Sequence, residues 1–345
     1  MSWSKKCYYA AAILFIFGCT SCYHVVSSSS SSSLCYSEES SMCIKHEKWM
    51  AEHGFSYENE KVKKTRYQIF KDNVAHIERH NQEGKHTYKL GINEFADLTN
   101  EEFLAKYARS SVPSFNVTSN QSSFEYKCTK HVPHRLDWRD YNAVTPIQNQ
   151  GDCGSCWAFS AVAAIESIVA IRSGKLTRLS QQHVLDCNYE HDTCEGGLIH
   201  NAFEFVIKNG GLASAIDYPY TAIQGKCSNN KPSSLSLNIT GYSVVPQNNE
   251  KALLKAVANQ PIAVYIDAST FQFYKSGVMT GKCGTRLNHG VVIVGYGKED
   301  GVKFWLLKNS WGRGWGENGY MKLKRKVHAK EGMCGIAMFP VYPNV

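Results

Sequence analysis

Beyond about its first 22 residues the chain lacks an apolar run that reads as a membrane-spanning helix, so no integral membrane role is expected. It also lacks a long run of charge of one sign. The net charge of +8 is spread over 345 residues, and Lys322-Leu323-Lys324-Arg325-Lys326 is the densest basic cluster. A nucleic-acid surface needs such a cluster exposed and interleaved with aromatics; a solvated strand or loop is the simpler reading. A third lack concerns metals. Cys153-Gly154-Ser155-Cys156 has no second close Cys/His pair, His183 and Cys187 being the only tempting partners, which argues against zinc. Neither a metal nor a cofactor is expected.

What is there begins with a leader. Lys5 and Lys6 precede an apolar core, Tyr8 to Gly18, too short to span a bilayer, so residues 1–22 read as a secretory signal. Thirteen cysteines fit an oxidising compartment. Candidate glycosylation sites are Asn116, Asn120 and Asn238, each in an Asn-X-Ser/Thr triplet. A serine tract, Ser27 to Ser33, makes residues 23–41 a flexible spacer.

Residues 42–131 read as a small first domain. Its pattern is helical from about Ser41 to Asn81, with Phe70, Asn73, Ile77 and Asn81 on one face. Alternating apolar residues in Tyr88 to Asp97 suggest a short strand. Thr99 and Glu102 form a candidate capping box for a helix through Phe103. Between Arg109 and Cys128 the composition turns to Ser, Asn and Pro, the mark of an exposed, cleavable boundary.

Residues 132–345 form the second domain. Its first half reads as helices Cys156–Arg172, Ser180–Leu185 and Leu198–Asn209. Its second half reads as strands Ile262–Ile266, Val291–Gly297, Val302–Leu307 and Gly319–Lys324. A helical lobe followed by a β lobe is an α+β arrangement with a cleft between its halves.

The chemistry centres on Cys156. It opens a long apolar helix, where the helix dipole favours an ionised thiol. A nucleophilic thiolate needs a base and an orienter for that base. A hairpin loop at Lys298–Gly301 would place His289 opposite Asn309, whose side-chain amide can orient an imidazole. Gln150 and the Cys156 N–H are candidate oxyanion donors, and Trp311 could shield the His–Asn pair from water. C-x-x-C alone could also be a redox pair. The lead-in from Tyr141 to Gln150 is polar and broken by Pro146, which is not the strand such a motif follows. The second domain has seven cysteines, so at least one is unpaired; parity does not say which.

With these residues in hand, the chain resembles the papain-like cysteine proteases. The resemblance rests on Gln150-Gly151-Asp152-Cys153-Gly154-Ser155-Cys156-Trp157-Ala158-Phe159, Leu287-Asn288-His289-Gly290 and Lys308-Asn309-Ser310-Trp311-Gly312. It implies a two-lobe fold, helical and β-barrel-like, with a thioester acyl-enzyme. Cys156 is then the nucleophile, His289 the acid/base, Asn309 the orienter and Gln150 the oxyanion donor. It also implies disulfides Cys153–Cys194, Cys187–Cys227 and Cys283–Cys334, leaving Cys156 free. Gly197, Leu198, Ile199, Tyr265, Leu287, Asn288 and Phe339 become the substrate-binding residues. Tyr265 and Phe339 are bulky there, so the second subsite should prefer small or medium apolar side chains.

The first domain resembles the family's inhibitory propeptide through Arg66, Phe70, Asn73, Ile77 and Asn81, then Gly91, Asn93, Phe95 and Asp97. Val62 replaces the usual Glu, which should loosen a salt bridge to Arg66. The propeptide would lie backwards through the cleft and be removed by proteolysis, often at acid pH. No granulin-like extension is expected after Val345. Arg139-Asp140-Tyr141 and Gln260-Pro261-Ile262 point toward plant members, including the bromelain group.

The expected function is a cysteine endopeptidase zymogen of the secretory pathway, extracellular or vacuolar/lysosomal. Its expected partners are protein and peptide substrates, its own propeptide and cystatin-type inhibitors, and it should be a monomer. Two rivals remain: a transpeptidase or ligase on the same scaffold, and a catalytically silent storage or interaction protein. The full set of Cys156, His289, Asn309 and Gln150 argues against the second.

Overall fold

A computed structural model of the chain describes residues 40–110, 121–188, 193–228 and 239–345. The leader, the serine tract, and Asn116, Asn120 and Asn238 lie outside the described residues. The chain divides into two compact units, Met1–Lys48 and Trp49–Val345. Of the first, only the start of helix α1 (Ser40–His53) is described.

The second unit takes in the end of α1 and continues with α2 (Glu60–Gln82), capped by Asn59, whose side chain accepts from Val62 N. Phe70, Val74 and Ile77 form its buried stripe. The asparagines beside that stripe reach neighbouring backbone. Asn73 Nδ2 donates to Ala96 O and Leu98 O, and Asn81 exchanges two bonds with Leu90. The expected strand through Asp97 is shorter: β1 covers only Tyr88–Leu90. Asn93 ends it by accepting from Phe95 N, so Phe95 turns into the core from a loop instead of alternating along a strand. Helix α3 (Asn100–Tyr107) has both bonds of the Thr99–Glu102 capping box. Arg66 lacks a glutamate at position 62 but is not left loose. Its guanidinium donates to Glu102 and to Asp97 O, at 2.8 and 3.0 Å.

Short strands β2 (Gln121–Ser122) and β3 (Leu136–Asp137) lead to α4 (Cys156–Ser173). This helix is apolar on every side and buried through Ala170, and Gly174 ends it at φ 72°. By length and composition it could cross a membrane, contrary to the sequence reading; here it is the core helix. Helices α5 (Gln181–Cys187) and α6 (Ile199–Asn209) complete the helical half.

Then follow β4 (Gly241–Val244), α7 (Glu250–Val257), β5 (Ile262–Ile266), β6 (Tyr274–Met279), β7 (His289–Glu299), β8 (Val302–Lys308), β9 (Tyr320–Lys324) and β10 (Val341–Asn344). Their sheet runs β1-β6-β9-β8-β7-β5-β10-β4-β2, with β3 on β7. Strands β1 and β2, from the expected first domain, pair with β6 and β4 of the second. The 131/132 boundary is therefore not a break in packing.

Two of the four basic residues in the 322–326 cluster, Lys322 and Arg325, are engaged within the fold. Lys322 pairs with Glu299 and Glu317, and the Arg325 guanidinium lies over Trp305 and Tyr296.

Candidate active site

Three elements converge on Cys156, the first residue of α4. Gly290 of β7 lies against the helix start. A Cβ there would meet Ser160 Oγ at 2.9 Å and Cys156 O at 3.1 Å, so the missing side chain lets the strand approach. The neighbouring residue, His289, is thereby carried to the cleft.

His289 Nε2 lies 2.7 Å from Asn309 Oδ1. The same oxygen accepts from Ser310 N at 2.8 Å. A backbone N–H can only donate, so the atom facing His289 is the oxygen and Nε2 carries the proton. Nδ1 is then the bare nitrogen, and it has no hydrogen-bond partner among the described residues. Trp311 stacks on the imidazole with centroids 4.3 Å apart, and Phe103 and Trp315 pack edge-on against Trp311.

The contact with Asn309 does not arise as the hairpin argument expected. The turn is the two-residue Asp300-Gly301, both at positive φ, as a tight hairpin requires. A register shift between Ile293 and Gly295 follows, and Val292 pairs with Lys308. Continued, this register would set Trp311 opposite His289. Asn309 lies just past the end of β8 and reaches the imidazole diagonally.

Ser110 of the first domain covers the nucleophile. Its Oγ lies 3.2 Å from Cys156 Sγ, and its N–H donates to Asn288 O. Both Ser110 and Cys156 are buried. Burial pushes the thiol up, against the opposing pull of Ser110 and the backbone at Gly290, Trp157 and Cys156. Burial also pushes His289 down to about 4, with the Asn309 bond and the Tyr107 backbone acting the other way. The expectation of a readily ionised thiol at the helix start thus fails in the covered state. Desolvation is the largest cause for both groups, and it favours the uncharged form of each.

Gln150 is buried and doubly held. Its Nε2 donates to Cys153 O at 3.0 Å and its Oε1 accepts from Ser310 Oγ at 2.7 Å. Disulfides join Cys153 to Cys194, Cys187 to Cys227 and Cys283 to Cys334. Cys128, exposed, and Cys156, buried, are the free thiols among the described residues. His183 accepts from Ala213 N through Nδ1, and Cys187 is taken up by its disulfide.

The proposed pocket residues cluster. Ile199, Tyr265 and Phe339 are buried together, with Leu198 and Leu287 packed against them. The Tyr265 hydroxyl accepts from Ile199 N, filling the place of the side-chain cap that α6 lacks. Asn288 Oδ1 accepts from Ala268 N, and Gly197 sits between Gly196 and the Leu198 N-cap. Sequence reasoning passed over Ser110, Arg109, Glu195 and Ser310. The first two fall in a stretch whose composition signals a linker, and no periodicity marks any of them.

Comparison with known proteins is consistent with this geometry. Residues 132–344 match the papain family cysteine protease domain, and residues 46–103 the cathepsin propeptide inhibitor domain. A senescence-specific cysteine protease, SAG39, of Oryza sativa subsp. indica is 51% identical over 314 residues, 89% of this chain and 92% of that protein. Ananain of Ananas comosus is 48% identical over 334 residues, 96% and 95% of the two chains. Among solved structures, the proform of Amb a 11, a major ragweed pollen allergen, superposes with a TM-score of 0.83 at 44% identity. It covers 90% of this chain and 96% of that one.

Proposed function

We propose the following roles for a chain that belongs to the papain family of cysteine proteases. It is a cysteine endopeptidase carrying its own inhibitory propeptide. Once residues before the catalytic domain leave, water reaches Cys156 and His289 and the desolvation that keeps both neutral is relieved. The thiol proton then passes to His289 Nδ1, and the thiolate attacks the scissile carbonyl carbon. The Cys156 N–H and the second N–H of Gln150 hold the oxyanion; the first is already given to Cys153 O. As the tetrahedral adduct collapses, the C–N bond breaks and His289 delivers its proton to the leaving amine. A water then attacks the thioester, giving its proton back to His289, and Cys156 is released.

The observation that carries this reading is the Asn309 oxygen shared by His289 and Ser310 N, which leaves Nδ1 bare beside the cleft. Leader and cysteine usage support passage through the secretory pathway. The test is labelling of acid-activated enzyme with an epoxide or iodoacetamide probe, with the modified residue located by mass spectrometry. We expect labelling at Cys156, absent in Cys156→Ala. A matured protein that no thiol reagent inactivates would contradict the scheme.

A further inference from the structure

Three cations lie in one row across the sheet, far from the catalytic cysteine. Lys298 of β7 stands opposite Lys303 of β8. On the other side of β8, Phe304 pairs with Lys324, and Arg325 N donates to Lys303 O at 2.7 Å. Arg325, just past the end of β9, therefore stands opposite Lys303 as well. Neighbouring strands are about 4.8 Å apart, so the row spans about 10 Å. Residues two apart in a strand share a face, which sets Lys298 beside Tyr296 and Lys303 beside Trp305. The Arg325 guanidinium lies over those two rings, 5.2 and 5.1 Å from their centroids. Like charges directly opposite each other destabilise a sheet, so the fold itself does not call for this row. His289 opens β7 and Lys298 is next to last on it, so the row lies about 30 Å from the catalytic imidazole.

The row is not neutralised. Lys298 and Lys303 are exposed, and neither makes an ion pair among the described residues. The Arg325 guanidinium makes no hydrogen bond there either. Its Nε is buried without a partner, and so is the neighbouring Tyr296 hydroxyl. Glu250 is the carboxylate that acts on Arg325, but both its oxygens are occupied. Oε1 accepts from Trp305 Nε1, and Oε2 accepts from Lys326 N and Val327 N. Glu299 is drawn to Lys322 on the opposite face, and Asp300 sits in the turn. Burial pushes Arg325 down, a desolvation that an anion alongside it would offset. The patch offers positive charge and donors without acceptors to match.

We propose that this row binds a phosphate or sulfate monoester group, outside the substrate cleft. Such a group has three free oxygens, one for each cation, where a carboxylate has two. The guanidinium presents a planar fork already oriented by the rings beneath it, and the lysines add mobile point charges. Tyr296 and Trp305 are themselves buried, so the row attracts an anion without an apolar side chain to insert into a bilayer. Occupied, the site holds the protein to a ligand bearing such groups while the cleft stays open. It belongs to the catalytic domain and does not rest on the endopeptidase reading.

The test compares the Cys156→Ala proenzyme with the same protein carrying Lys298→Gln and Lys303→Gln. Both lysines are exposed, so the variant should fold. Without ligand its thermal midpoint should match or exceed the parent's, because a like-charged pair is gone. The probes are inorganic phosphate, glucose 6-phosphate and glucose 6-sulfate, with acetate as the carboxylate control, all at constant ionic strength. Phosphate also stabilises proteins by exclusion from their surface, so the reading is the difference between parent and variant. The apparent Kd from the midpoint rise should be about fivefold weaker in the variant, for two exposed ion pairs lost. It should weaken in high salt, and acetate should not separate the two proteins. Vesicles of phosphatidylcholine, alone and in equal parts with phosphatidic acid, distinguish the source of the group. Sedimentation with the phosphatidic acid vesicles that the variant loses places it on a lipid; response to the sugar esters alone places it on a soluble ligand. An equal response of parent and variant to every probe overturns the proposal. So does a lower unliganded midpoint in the variant, which would make the row structural. The matured double variant should hydrolyse a short peptide at the parent rate, and a loss there overturns the placement outside the cleft.

Discussion

Ser110 and His289 show how much a single side chain's surroundings decide. Burial pushes the Cys156 thiol up although it heads a helix, while the Ser110 hydroxyl, 3.2 Å from Sγ, pulls the other way. At Asn309 one oxygen accepts twice and so fixes the histidine tautomer. Tyr265 has a double part: its ring lies beside Phe339, with centroids 6.1 Å apart, and its hydroxyl accepts from Ile199 N. Both rings take space from the proposed second subsite. A peptide library should therefore show small or medium apolar residues favoured there over Phe, and Tyr265→Ala should shift the preference toward larger side chains. A strong preference of the wild type for Phe at that position would sink the idea. Tyr265→Phe keeps the ring but removes the acceptor at the start of α6, so it separates volume from positioning.

Between elements, the two halves are joined by a buried polar chain close to the catalytic residues. Lys308 Nζ, at the end of β8, donates to Thr145 Oγ1 at 2.7 Å. That hydroxyl donates to Glu166 Oε2 of α4 at 2.5 Å. Glu166 Oε1 accepts from Leu179 N. Burial pushes Lys308 down to about 8 and Glu166 up, each charge partly restored by the other. Thr145→Val keeps the volume but leaves an ammonium and a carboxylate each short of a partner. We expect a loss of about 2–5 kcal/mol, read as a lower urea midpoint of the Cys156→Ala proenzyme. An unchanged midpoint would remove the chain from the account of stability.

Element existence was largely legible in the sequence where periodicity or caps are strong. Helix α4 and the Thr99–Glu102 box are examples, as are strands β5 and β7 to β9. The reading passed over β4, α7, β6 and β10. Strand β6 carries Gly277 at positive φ, and β10 contains Pro343, so neither alternates cleanly. These strands form because neighbours supply their hydrogen bonds. The His289–Asn309 contact was anticipated through a register that does not occur, since the turn and the register shift both moved it.

On the scale of the whole molecule, we expect release of the propeptide region to depend on pH through groups of opposite sign. Arg66 holds Glu102 below the usual carboxylate range. A depressed carboxylate stabilises the fold above its unfolded pKa, and that contribution is lost as pH falls through the folded value. His76 and His80 are pushed down mainly by burial. They disfavour the fold as pH drops below about 6.5, where the unfolded chain takes up protons first. Asp97 and Glu94 are pushed up by burial, so their protonation favours the fold and opposes acid release. Acid loosening is therefore assigned to His76 and His80 first and to Glu102 at lower pH. The rate of iodoacetamide labelling of Cys156 in the proenzyme, compared with parent at each pH, checks this. Glu102→Gln should label faster near neutrality. His80→Gln should label more slowly than parent between about pH 5 and 6.5. Identical profiles would refute the assignment.

The sequence by itself determined the chemistry: a cysteine at a helix start, a histidine and an asparagine in the β half, and enough cysteines to staple the loops. Those are local properties, fixed by residue type, spacing and capping. Only the tertiary structure decided which state the site is in. Covering by Ser110, the shared Asn309 oxygen and the Arg109–Glu195 pair join residues 20 to 86 positions apart. Burial and long-range hydrogen bonds set their protonation, and neither is written in the order of the residues.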